Sequence, residues 1–360
     1  MRRPGRGVVG RQPRRQIAQQ RTRGGKRRCK DAGPARRQYF LGRAIRRRRA
    51  LSPVANRTRA IGSGAILCFV TLRNEAVRLP YFLDYYRALG VDHFLVVDND
   101  SDDGSRALLE AQPDVSLWTT KASYKGSRYG LDWVNWLLFR HGTGHWCLTV
   151  DPDEFLVYPH CDVRPLRALT DWLDSSAYRA FPAMMLDMYP RGSVTERIYA
   201  AGENPLDIAA WFDPANYMIR KNREYGNLWI QGGPRARAFF ADDPQNAPAL
   251  NKIPLVRWAR HYAYVSSTHM LLPRSLNLVY DENGGERASG ILLHTKFLST
   301  FVGKSDEEMT RGQHYAGSRE YKAYHSALQN QPQLWCPESI EYEGWRQLEH
   351  LGLISRGNWP

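Results

Sequence analysis

Two apolar segments, each followed directly by a cluster of acidic residues, constrain this 360-residue chain more than any other feature. The first is Phe-Leu-Val-Val at 94–97, followed by Asp-Asn-Asp-Ser-Asp-Asp-Gly-Ser at 98–105. The second is Cys-Leu-Thr-Val at 147–150, followed by Asp-Pro-Asp-Glu at 151–154. Short apolar runs of this kind predict buried strands, here with carboxylates at their C-terminal ends. In open α/β sheets ligands bind at that edge, so we expect the ligand site there.

Strand and helix signals alternate from residue 64 to about residue 190, which predicts an α/β fold. A doubly wound, mostly parallel sheet flanked by helices fits this alternation. The first helix is predicted to open at Asn74-Glu75 and to end at Gly90, and Ser101 or Asp102 can cap the second. The predicted strands are 65–71, 91–97, 115–118 and 146–150, and an aromatic-rich helix is predicted over 129–139.

The pattern loosens after residue 190. Residues 190–260 are rich in Pro, Gly, Asn and aromatic side chains, which favours lids or binding loops. A capping-box pattern of Ser305 and Glu308 predicts a helix that starts at Ser305, and 321–328 is a last helical stretch. The predicted organisation is a leader over 1–60, a folded domain over 61–300 and a helical extension over 301–360. Within the domain, 61–160 and 161–300 are predicted to form two halves.

Positive charge is concentrated in the first 60 residues, which hold 21 of the 51 Lys and Arg residues and one acid, Asp31. The other 300 residues carry 30 basic and 35 acidic side chains. The net charge of +15 is therefore no argument that the folded part binds nucleic acid. We expect the Arg-rich leader to be disordered. It fits an anionic membrane surface, RNA, a targeting peptide, or a dispensable N-terminus.

No stretch approaches the roughly 20 apolar residues of a membrane span. Five cysteines without a CxxC pair do not indicate a disulfide framework. We therefore expect a cytoplasmic protein without a transmembrane segment, and leave open peripheral contact with the inner face of the membrane.

The first acidic cluster has three interpretations: nucleotide contact, a solvated turn, or a calcium loop. Asn99, Ser101, Asp103, Gly104 and Glu110 match the spacing of a twelve-residue calcium loop loosely. Asn and Ser stand where carboxylates are expected, however, and the preceding segment predicts a strand rather than a helix. Nucleotide contact is the interpretation we carry forward.

The second cluster predicts a divalent cation site. Mg²⁺ and Mn²⁺ take oxygen ligands, commonly one or two protein carboxylates together with substrate phosphates. Crowded acids would otherwise repel one another, although an exposed acidic turn is the alternative. The bound cation would offset the charge of a diphosphate leaving group, so we expect a nucleotide-activated substrate, a nucleotide-sugar above all.

Several basic residues and histidines are further candidates for the site. Lys121, Lys125 and Arg128 follow the third predicted strand and could reach a diphosphate, although a solvated loop explains each lysine equally well. Arg235 and Arg237 lie in a Gly-Gly-Pro loop that could clamp an anion or form a structural turn. His269 and His294 follow apolar runs, where a lone histidine is more often a core residue.

Four motifs in the same order and spacing resemble glycosyltransferase family 2, and more closely its bacterial branch with a DxDEF signature. They are Thr71–Glu75, Ala88–Phe94, Asp98–Ser105 and Asp151–Leu156. The resemblance covers roughly residues 64–300 and is most specific over 64–160. It implies a GT-A fold, a nucleoside-diphosphate sugar donor, and Mn²⁺ or Mg²⁺ as cofactor. The predicted domain 61–300 would then be the glycosyltransferase domain, with 61–160 as its nucleotide-sugar half and 161–300 as its acceptor half.

The resemblance also implies roles for individual residues. Asp151 and Asp153 take the metal and ribose roles, with His294 as a late metal ligand. Thr71, Asp98 and Asp100 fall where the family contacts the nucleoside, and Arg128 where it contacts the base or phosphate. Together with the candidates drawn from the residues themselves, the predicted nucleotide-sugar positions are Thr71, Asn74, Glu75, Asp98, Asp100, Lys125, Arg128, Asp151, Arg235 and Arg237. Inverting members use a downstream carboxylate as general base, and Asp187, Asp213 and Asp242 are our candidates.

The predicted function is a single sugar transfer to the hydroxyl of a glycan or lipid-linked acceptor, in cell-surface glycan or polysaccharide synthesis. The Gln-x-x-Arg-Trp element of processive synthases is absent, since Pro254 stands where Gln would precede Arg257-Trp258. Alternatives are a metal-dependent nucleotidyltransferase, which would need a Gly-rich loop after the first strand, and a nucleic-acid-binding protein that acts through the leader. We expect no specific nucleic acid partner for the folded part.

Overall fold

The structure, a computed structural model, describes residues 33–280, 284–311 and 333–360. In this described part the central element is a nine-stranded sheet of order β1-β4-β3-β2-β5-β11-β7-β14-β6. Its strands are β1 Ser52–Ala55, β2 Ile66–Leu72, β3 His93–Asp98, β4 Val115–Thr119, β5 Trp146–Thr149, β6 Glu154–Val157, β7 Ala180–Asp187, β11 Asn251–Arg257 and β14 Gly290–His294. Three two-stranded sheets pair β8 Trp211–Phe212 with β15 Ile340–Glu341, β9 Tyr217–Lys221 with β10 Leu228–Gly232, and β12 Ala263–Ser266 with β13 Met270–Leu272.

The predicted α/β class is confirmed: the described chain folds as a large, mostly parallel sheet flanked by helices. Strands β2, β3, β4, β5, β7 and β14 run in one direction, while β1, β6 and β11 run against them. The helices are α1 Gly33–Arg47, α2 Leu79–Leu89, α3 Ser105–Glu110, α4 Leu131–Leu137, α5 Leu166–Ser175, α6 Gly233–Phe239, α7 Thr300–Arg311 and α8 Trp345–His350.

Strand β2 shows why the sheet forms a two-sided core. Successive side chains of a strand point to opposite faces, and β2 is apolar at nearly every position. Ile66, Cys68 and Val70 pack into one core cluster together with the apolar residues of α2, α5 and α8. Leu67 and Phe69 pack into a second cluster on the other face, against α4. The continuous apolar run is therefore the sequence of a strand covered on both faces.

Helix α2 is amphipathic as predicted, but it begins later than the sequence indicated. Its buried side chains recur at helical spacing, and Gly90 ends it with φ of 99°. The helix starts at Leu79 instead of Asn74-Glu75. Asn74 has φ of 52°, and the backbone N–H groups of Glu75 and Ala76 donate to Ser105 Oγ and Asp103 Oδ2. Residues 74–78 are thus held as a turn against the loop that follows β3.

The prediction that residues 1–60 are disordered is wrong for residues 33–60, and residues 1–32 lie outside the described part. Helix α1 packs on α4, and Phe40 is buried. Arg43 donates from Nε and Nη2 to Asp132, whose side chain is fully buried, at 3.1 and 2.9 Å. The Arg-rich composition concealed the apolar positions Phe40 and Ala44, which lie four residues apart on one helix face.

The segment 190–260 contains more regular structure than its composition predicted. Its last element, β11, is a central strand that pairs antiparallel with both β5 and β7. Helix α7 starts at Thr300, so the capping box predicted at Ser305 does not form, and Ser305 is buried inside the helix. The helix predicted over 321–328 lies outside the described residues. The domain boundaries predicted at residues 160 and 300 stay predictions, while residues 33–360 cluster as one compact unit.

Candidate functional site

A cavity of 530 Å³ lies at the carboxyl edge of the six co-directional strands. Thr71 near the end of β2 and His294 at the end of β14 line it, as does the turn 151–153 between β5 and β6. Side chains from segments 229–252 and 296–307 also line it. The edge predicted for ligand binding therefore carries the cavity, as expected for open α/β sheets.

Four charged side chains form a chain of contacts at the base of this cavity. Asp153 Oδ2 lies 3.4 Å from His294 Nε2. On its other side, His294 Nδ1–H donates to Asp187 Oδ1 at 2.6 Å, and Arg235 Nε–H donates to Asp187 Oδ2 at 2.7 Å. The order is thus Asp153, His294, Asp187 and Arg235, from the cavity into the core.

Strand register produces this arrangement. His294 on β14 is the direct partner of Asp187 on the parallel strand β7 and of Glu154 on the antiparallel strand β6. The last residues of β7 and β14 and the first residue of the antiparallel β6 are therefore polar and meet at one edge. Sequence alone could not bring them together, because β7 and β14 are more than 100 residues apart.

Burial and charge act in opposite directions on these groups. Desolvation opposes the charged form of Asp187, but Arg235 and His294 outweigh it and lower the Asp187 pKa. Burial also opposes protonation of His294, while Asp153 and Asp187 on its two ring nitrogens raise the His294 pKa. The Asp153 pKa is well below its usual range because the charges of His294, Arg78 and Lys304 overcome its desolvation. The two carboxylates are thus held ionised around the imidazole.

Asp153 and His294 suit a shared divalent cation. Two ligand atoms about 2.1 Å from one cation, at angles between octahedral and tetrahedral, lie about 3.0 to 3.4 Å apart, which matches the 3.4 Å separation of Oδ2 and Nε2. A metal-binding histidine commonly donates its other ring N–H to a carboxylate, as His294 does to Asp187. No group of three or more His, Cys, Asp or Glu side chains among the described residues forms a metal-ligand cluster. The remaining ligands would have to come from substrate phosphates and water.

Asp151, the other predicted ligand, is engaged differently. Lys252 Nζ lies 2.9 Å from Glu154 Oε1 and 4.0 Å from Asp151 Oδ2. The Asp151 side chain is 55% exposed, and the residue lines the cavity. Desolvation and then the neighbouring Glu154 raise the Asp151 pKa to about 7, although solvent contact screens these effects. Lys252 therefore places a positive charge beside Asp151, one of the two carboxylates that sequence analysis assigned to the metal ion.

Sequence analysis did not identify Lys252 as a residue of the site, although its position in the chain indicated a paired lysine. It lies on β11 in the apolar segment 251–256 and is only 5% exposed. A lysine is almost never buried in such a strand unless it is paired. Burial opposes the charged form of Lys252, but the negative charges of Glu154 and Asp151 outweigh burial and raise the Lys252 pKa.

The first acidic cluster mainly builds the turn that borders the cavity. Asp98 is 1% exposed, and its Oδ1 accepts from Ser101 N at 3.1 Å. Asp103 Oδ1 accepts from Ser105 N and Oγ at 2.9 and 2.6 Å. Asn99 is buried and donates to Thr120 O at 3.0 Å. Asp103 Oδ1 and Asp98 Oδ1 are thus bonded within the turn, while Asp98 Oδ2 is buried with no hydrogen-bond partner among the described residues. The cluster follows a strand and not a helix, which argues against the calcium loop.

Asp100 lies at a smaller neighbouring cavity of 410 Å³, together with Arg73, Asn99, Lys121 and Tyr124. Its side chain is half exposed, and Lys121 Nζ lies 3.9 Å from Asp100 Oδ1. This cavity shares Arg73, Asn99 and Tyr124 with the main one, so the two are contiguous. Asp100 is therefore beside the site, whereas Asp98 is buried beneath it.

The predicted residues at and after the end of β2 line the main cavity in part. Thr71 lines it, and its Oγ1 is buried with no hydrogen-bond partner in the part of the chain that the structure describes. Glu75 lines it too and pairs with Arg78 at 3.1 Å and with Lys304. Asn74 Oδ1 accepts from Asp102 N at 3.0 Å, so Asn74 joins the loops after β2 and β3.

Two of the three candidate bases are buried in ion pairs, which contradicts that role for Asp187 and Asp213. Asp187 is bound by His294 and Arg235 as described. Asp213 accepts from Arg237 Nη2 at 3.0 Å and from the Tyr189 hydroxyl. Neither carboxylate is open to an acceptor hydroxyl. Asp242 is exposed, in the loop that follows Phe240.

Six of the ten predicted nucleotide-sugar residues do not line the main cavity: Asn74, Asp98 and Asp100, described above, and Lys125, Arg128 and Arg237. Arg128 Nε donates to Asp132 at 2.8 Å, and its guanidinium lies 4.3 Å from the Phe40 ring centroid, so it ties α1 to α4. Arg237 pairs with Asp213, and Lys125 is exposed on a short turn. Arg235 does line the cavity, and its Nε–H donates to the buried carboxylate of Asp187.

The cavity also carries basic residues that sequence analysis did not assign. They come from the turn after β2 and from α7 and its approach: Arg73, Arg78, Lys296 and Lys304. Arg78 is 2% exposed, and Glu75 and Asp153 overcome its burial to raise the Arg78 pKa. The cavity thus combines carboxylates with a basic rim.

Aromatic and amide side chains of the segment 229–249 line one side of the cavity. Trp229 and Phe240 contribute rings, and Gln231, Gln245 and Asn246 contribute amides. His269 lines the same side, with its ring centroid 6.0 Å from that of Trp229, and its Nδ1 bonds to Asn251 O at 2.5 Å. Part of the loop-rich segment therefore borders the cavity.

No protein-family model matches this chain, and no functionally curated protein matches its sequence. A UTP-bound UGPase from Acinetobacter baumannii is similar over 78% of this chain and 87% of its own, at 9% identity and a TM-score of 0.27. A similarity this low carries no argument about function. Within the described residues, no helix has the length and apolarity to cross a membrane.

Proposed function

We propose that this chain is a metal-dependent glycosyltransferase of the family 2 type, which moves a sugar from a nucleoside-diphosphate sugar to an acceptor hydroxyl in a single transfer. The observation that carries the proposal is the contact chain from Asp153 through His294 to Asp187, at the carboxyl edge of the sheet. It lies in a cavity with a basic rim and an aromatic side. The cavity therefore offers groups that suit a donor diphosphate, a cation and an acceptor sugar.

Asp153 and His294 would hold Mn²⁺ or Mg²⁺ together with the donor diphosphate. The cation, when bound, offsets negative charge on the diphosphate as it leaves. Asp187 fixes the His294 tautomer so that Nε2 faces Asp153, and Arg235 keeps Asp187 ionised. These contacts pre-orient the ligands before the donor enters.

The basic rim would bind the diphosphate oxygens. Arg78 and Lys304 flank Asp153, and Glu75 holds both cations in place. Arg73 links the main cavity to the smaller one, and its Nε donates to Glu307 at 2.8 Å. Positioned guanidinium and ammonium groups stabilise the charge that develops on a departing diphosphate.

The acceptor would lie against Trp229 and Phe240, because sugar rings pack well on aromatic faces. Gln231 and Asn246 would donate to or accept from its hydroxyls. Of the three candidate bases, only Asp242 is exposed, and it lies two residues after Phe240, which lines the cavity. We retain Asp242 as general base, and with it an inverting transfer to a glycan or lipid-linked acceptor.

Calorimetric titration of UDP and GDP, with Mn²⁺ and with EDTA, tests the donor site. We expect Mn²⁺-dependent binding to the intact chain that Asp153→Asn abolishes. Asp171→Asn is the matched control, since Asp171 is exposed on α5. Absence of binding to either nucleotide under all metal conditions in the folded chain would refute the proposal.

Product analysis separates this function from that of a nucleotidyltransferase. A glycosyltransferase releases a nucleoside diphosphate from a nucleotide-sugar, whereas a nucleotidyltransferase releases pyrophosphate from a nucleoside triphosphate and a sugar phosphate. No Gly-rich phosphate loop follows β2, since that turn is Arg-Asn-Glu-Ala-Val-Arg at 73–78. We therefore expect diphosphate release and no pyrophosphate.

A further inference from the structure

Helix α1 and the short helical turn after it present an unusually basic surface. Four successive arginines, Arg46 to Arg49, are all exposed. The sequence holds no acidic residue between Asp31 and Glu75. Among the described residues, none of these four arginines forms an ion pair with a carboxylate. Their positive charge therefore faces solvent without local compensation.

Aromatic rings extend this surface onto α4 and the turn that follows it. The Arg48 guanidinium lies 5.2 Å from the Trp136 ring centroid, and that of Arg260 lies 4.6 Å from the Phe139 centroid. Trp136 and Phe139 stack on each other at 5.9 Å with an interplanar angle of 26°. Ile45, which is 39% exposed, adds an apolar side chain beside the arginines. We call Ile45, Arg46–Arg49, Trp136, Phe139 and Arg260 the arginine–aromatic strip.

We propose that the arginine–aromatic strip docks the protein on a bilayer surface that contains anionic phospholipids. Clusters of four or more basic residues on a helix attract anionic headgroups, at about 1 kcal/mol for each residue near the surface. Arginine and tryptophan suit the interface because each combines a polar group with an apolar body, and exposed Ile45 can insert among the headgroups. This inference does not depend on the proposed activity.

The arrangement of the rings favours lipid over RNA. Single-stranded nucleic acid gains much of its affinity when bases stack on exposed aromatic faces. The rings of Trp136 and Phe139 already stack on each other and lie against the guanidiniums of Arg48 and Arg260, and both residues are only partly exposed. A phosphate headgroup needs only the arginine donors, which remain exposed at the helix end.

Vesicle co-sedimentation of the full-length chain tests the inference. We expect the protein to bind vesicles of phosphatidylcholine with 30% phosphatidylglycerol and not to bind vesicles of pure phosphatidylcholine. Binding to the anionic vesicles should weaken at high salt, because salt screens the charges. Replacement of Arg46 and Arg49 by glutamine should weaken partitioning about ten- to thirty-fold. The control is Arg106→Gln with Arg220→Gln, which removes the same charge from two exposed arginines outside the strip.

A second variant separates insertion from general charge attraction. Ile45→Ser keeps the net charge and should weaken binding to the anionic vesicles by about three-fold or more. Equal binding by the Arg46/Arg49 variant and its control would overturn the inference, as would tighter binding to a single-stranded RNA oligonucleotide than to the vesicles. Circular dichroism of each variant establishes that it is folded, so a loss of binding reports on the surface.

Discussion

Asp187 and His294 are direct register partners at the ends of two parallel strands, and His294 Nδ1 donates to Asp187 Oδ1 at 2.6 Å. The same carboxylate accepts from Arg235, so the imidazole is held by a buried ion pair. This relationship changes the role of Asp187 from the predicted base to a residue that positions His294.

The substitution Asp187→Asn should weaken Mn²⁺-dependent UDP binding about ten- to a hundred-fold, because the carboxylate that orients His294 loses its charge. Calorimetry with and without Mn²⁺ measures the effect. Metal-free UDP binding should change little, which a general loss of structure would not allow. Unchanged Mn²⁺ dependence in the folded variant would contradict the positioning role, and Asp171→Asn serves as the control.

Lys252→Met should destabilise the fold by about 3 to 5 kcal/mol, because it leaves Glu154 buried without its cation. Urea unfolding followed by circular dichroism gives the free energy of unfolding. The double variant Lys252→Met/Glu154→Gln should recover part of the loss, since no buried charge then remains unpaired. A single variant as stable as the original chain would show that Glu154 is not dependent on Lys252.

Gly290→Ala should destabilise the sheet by about 1 to 3 kcal/mol through overpacking. A Cβ at this position would lie 2.6 Å from the Val157 carbonyl oxygen and 2.8 Å from the Phe181 ring, at the junction of β14 with its neighbours. Gly62→Ala is the matched control, because its Cβ would have no atom within 4 Å. Thermal unfolding of the two variants compares them, and equal melting temperatures would contradict the tight approach.

Stability should fall as the pH drops from about 6.5 towards 4, in part because of His141. Burial, then the neighbouring charges of Arg140 and His93, lower the His141 pKa from 6.5 to about 4. Between these values the unfolded chain binds more protons than the folded one, so acid favours unfolding. This pKa shift limits the contribution of His141 to the free energy of unfolding to about 3 kcal/mol at most, and partial solvent contact of the ring reduces that contribution.

His141→Gln should flatten this part of the pH–stability profile, measured as the free energy of unfolding in urea at several pH values. His261→Gln, at an exposed histidine, is the control. Profiles of equal slope for the His141 variant and the original chain would contradict the prediction.

The first half of the fold was predictable because each signal is local. The run 65–71 is apolar at successive positions because β2 is covered on both faces, and Gly90 ends α2 because it adopts a positive φ. The placement of both acidic clusters near the carboxyl edge follows from the same strand pattern. The alternation of strand and helix signals was sufficient for the α/β class.

Other features depend on contacts between distant segments, which no local pattern encodes. The strand β11 lies between β5 and β7 although its neighbours in sequence are loops, and through it Lys252 reaches Asp151 and Glu154. Helix α1 is ordered because Phe40 and Arg43 find partners on and beside α4.

The amino-acid sequence by itself determined the strands, the helix faces and the acidic turns, because burial and hydrogen-bonding preferences act over a few residues. Only the tertiary structure decided which charges meet. Asp153, His294, Asp187 and Arg235 come from four separate segments, and each of their roles depends on a partner within 3.4 Å. Electrostatic effects of buried groups are set by such neighbours, so they follow from strand register and not from sequence position.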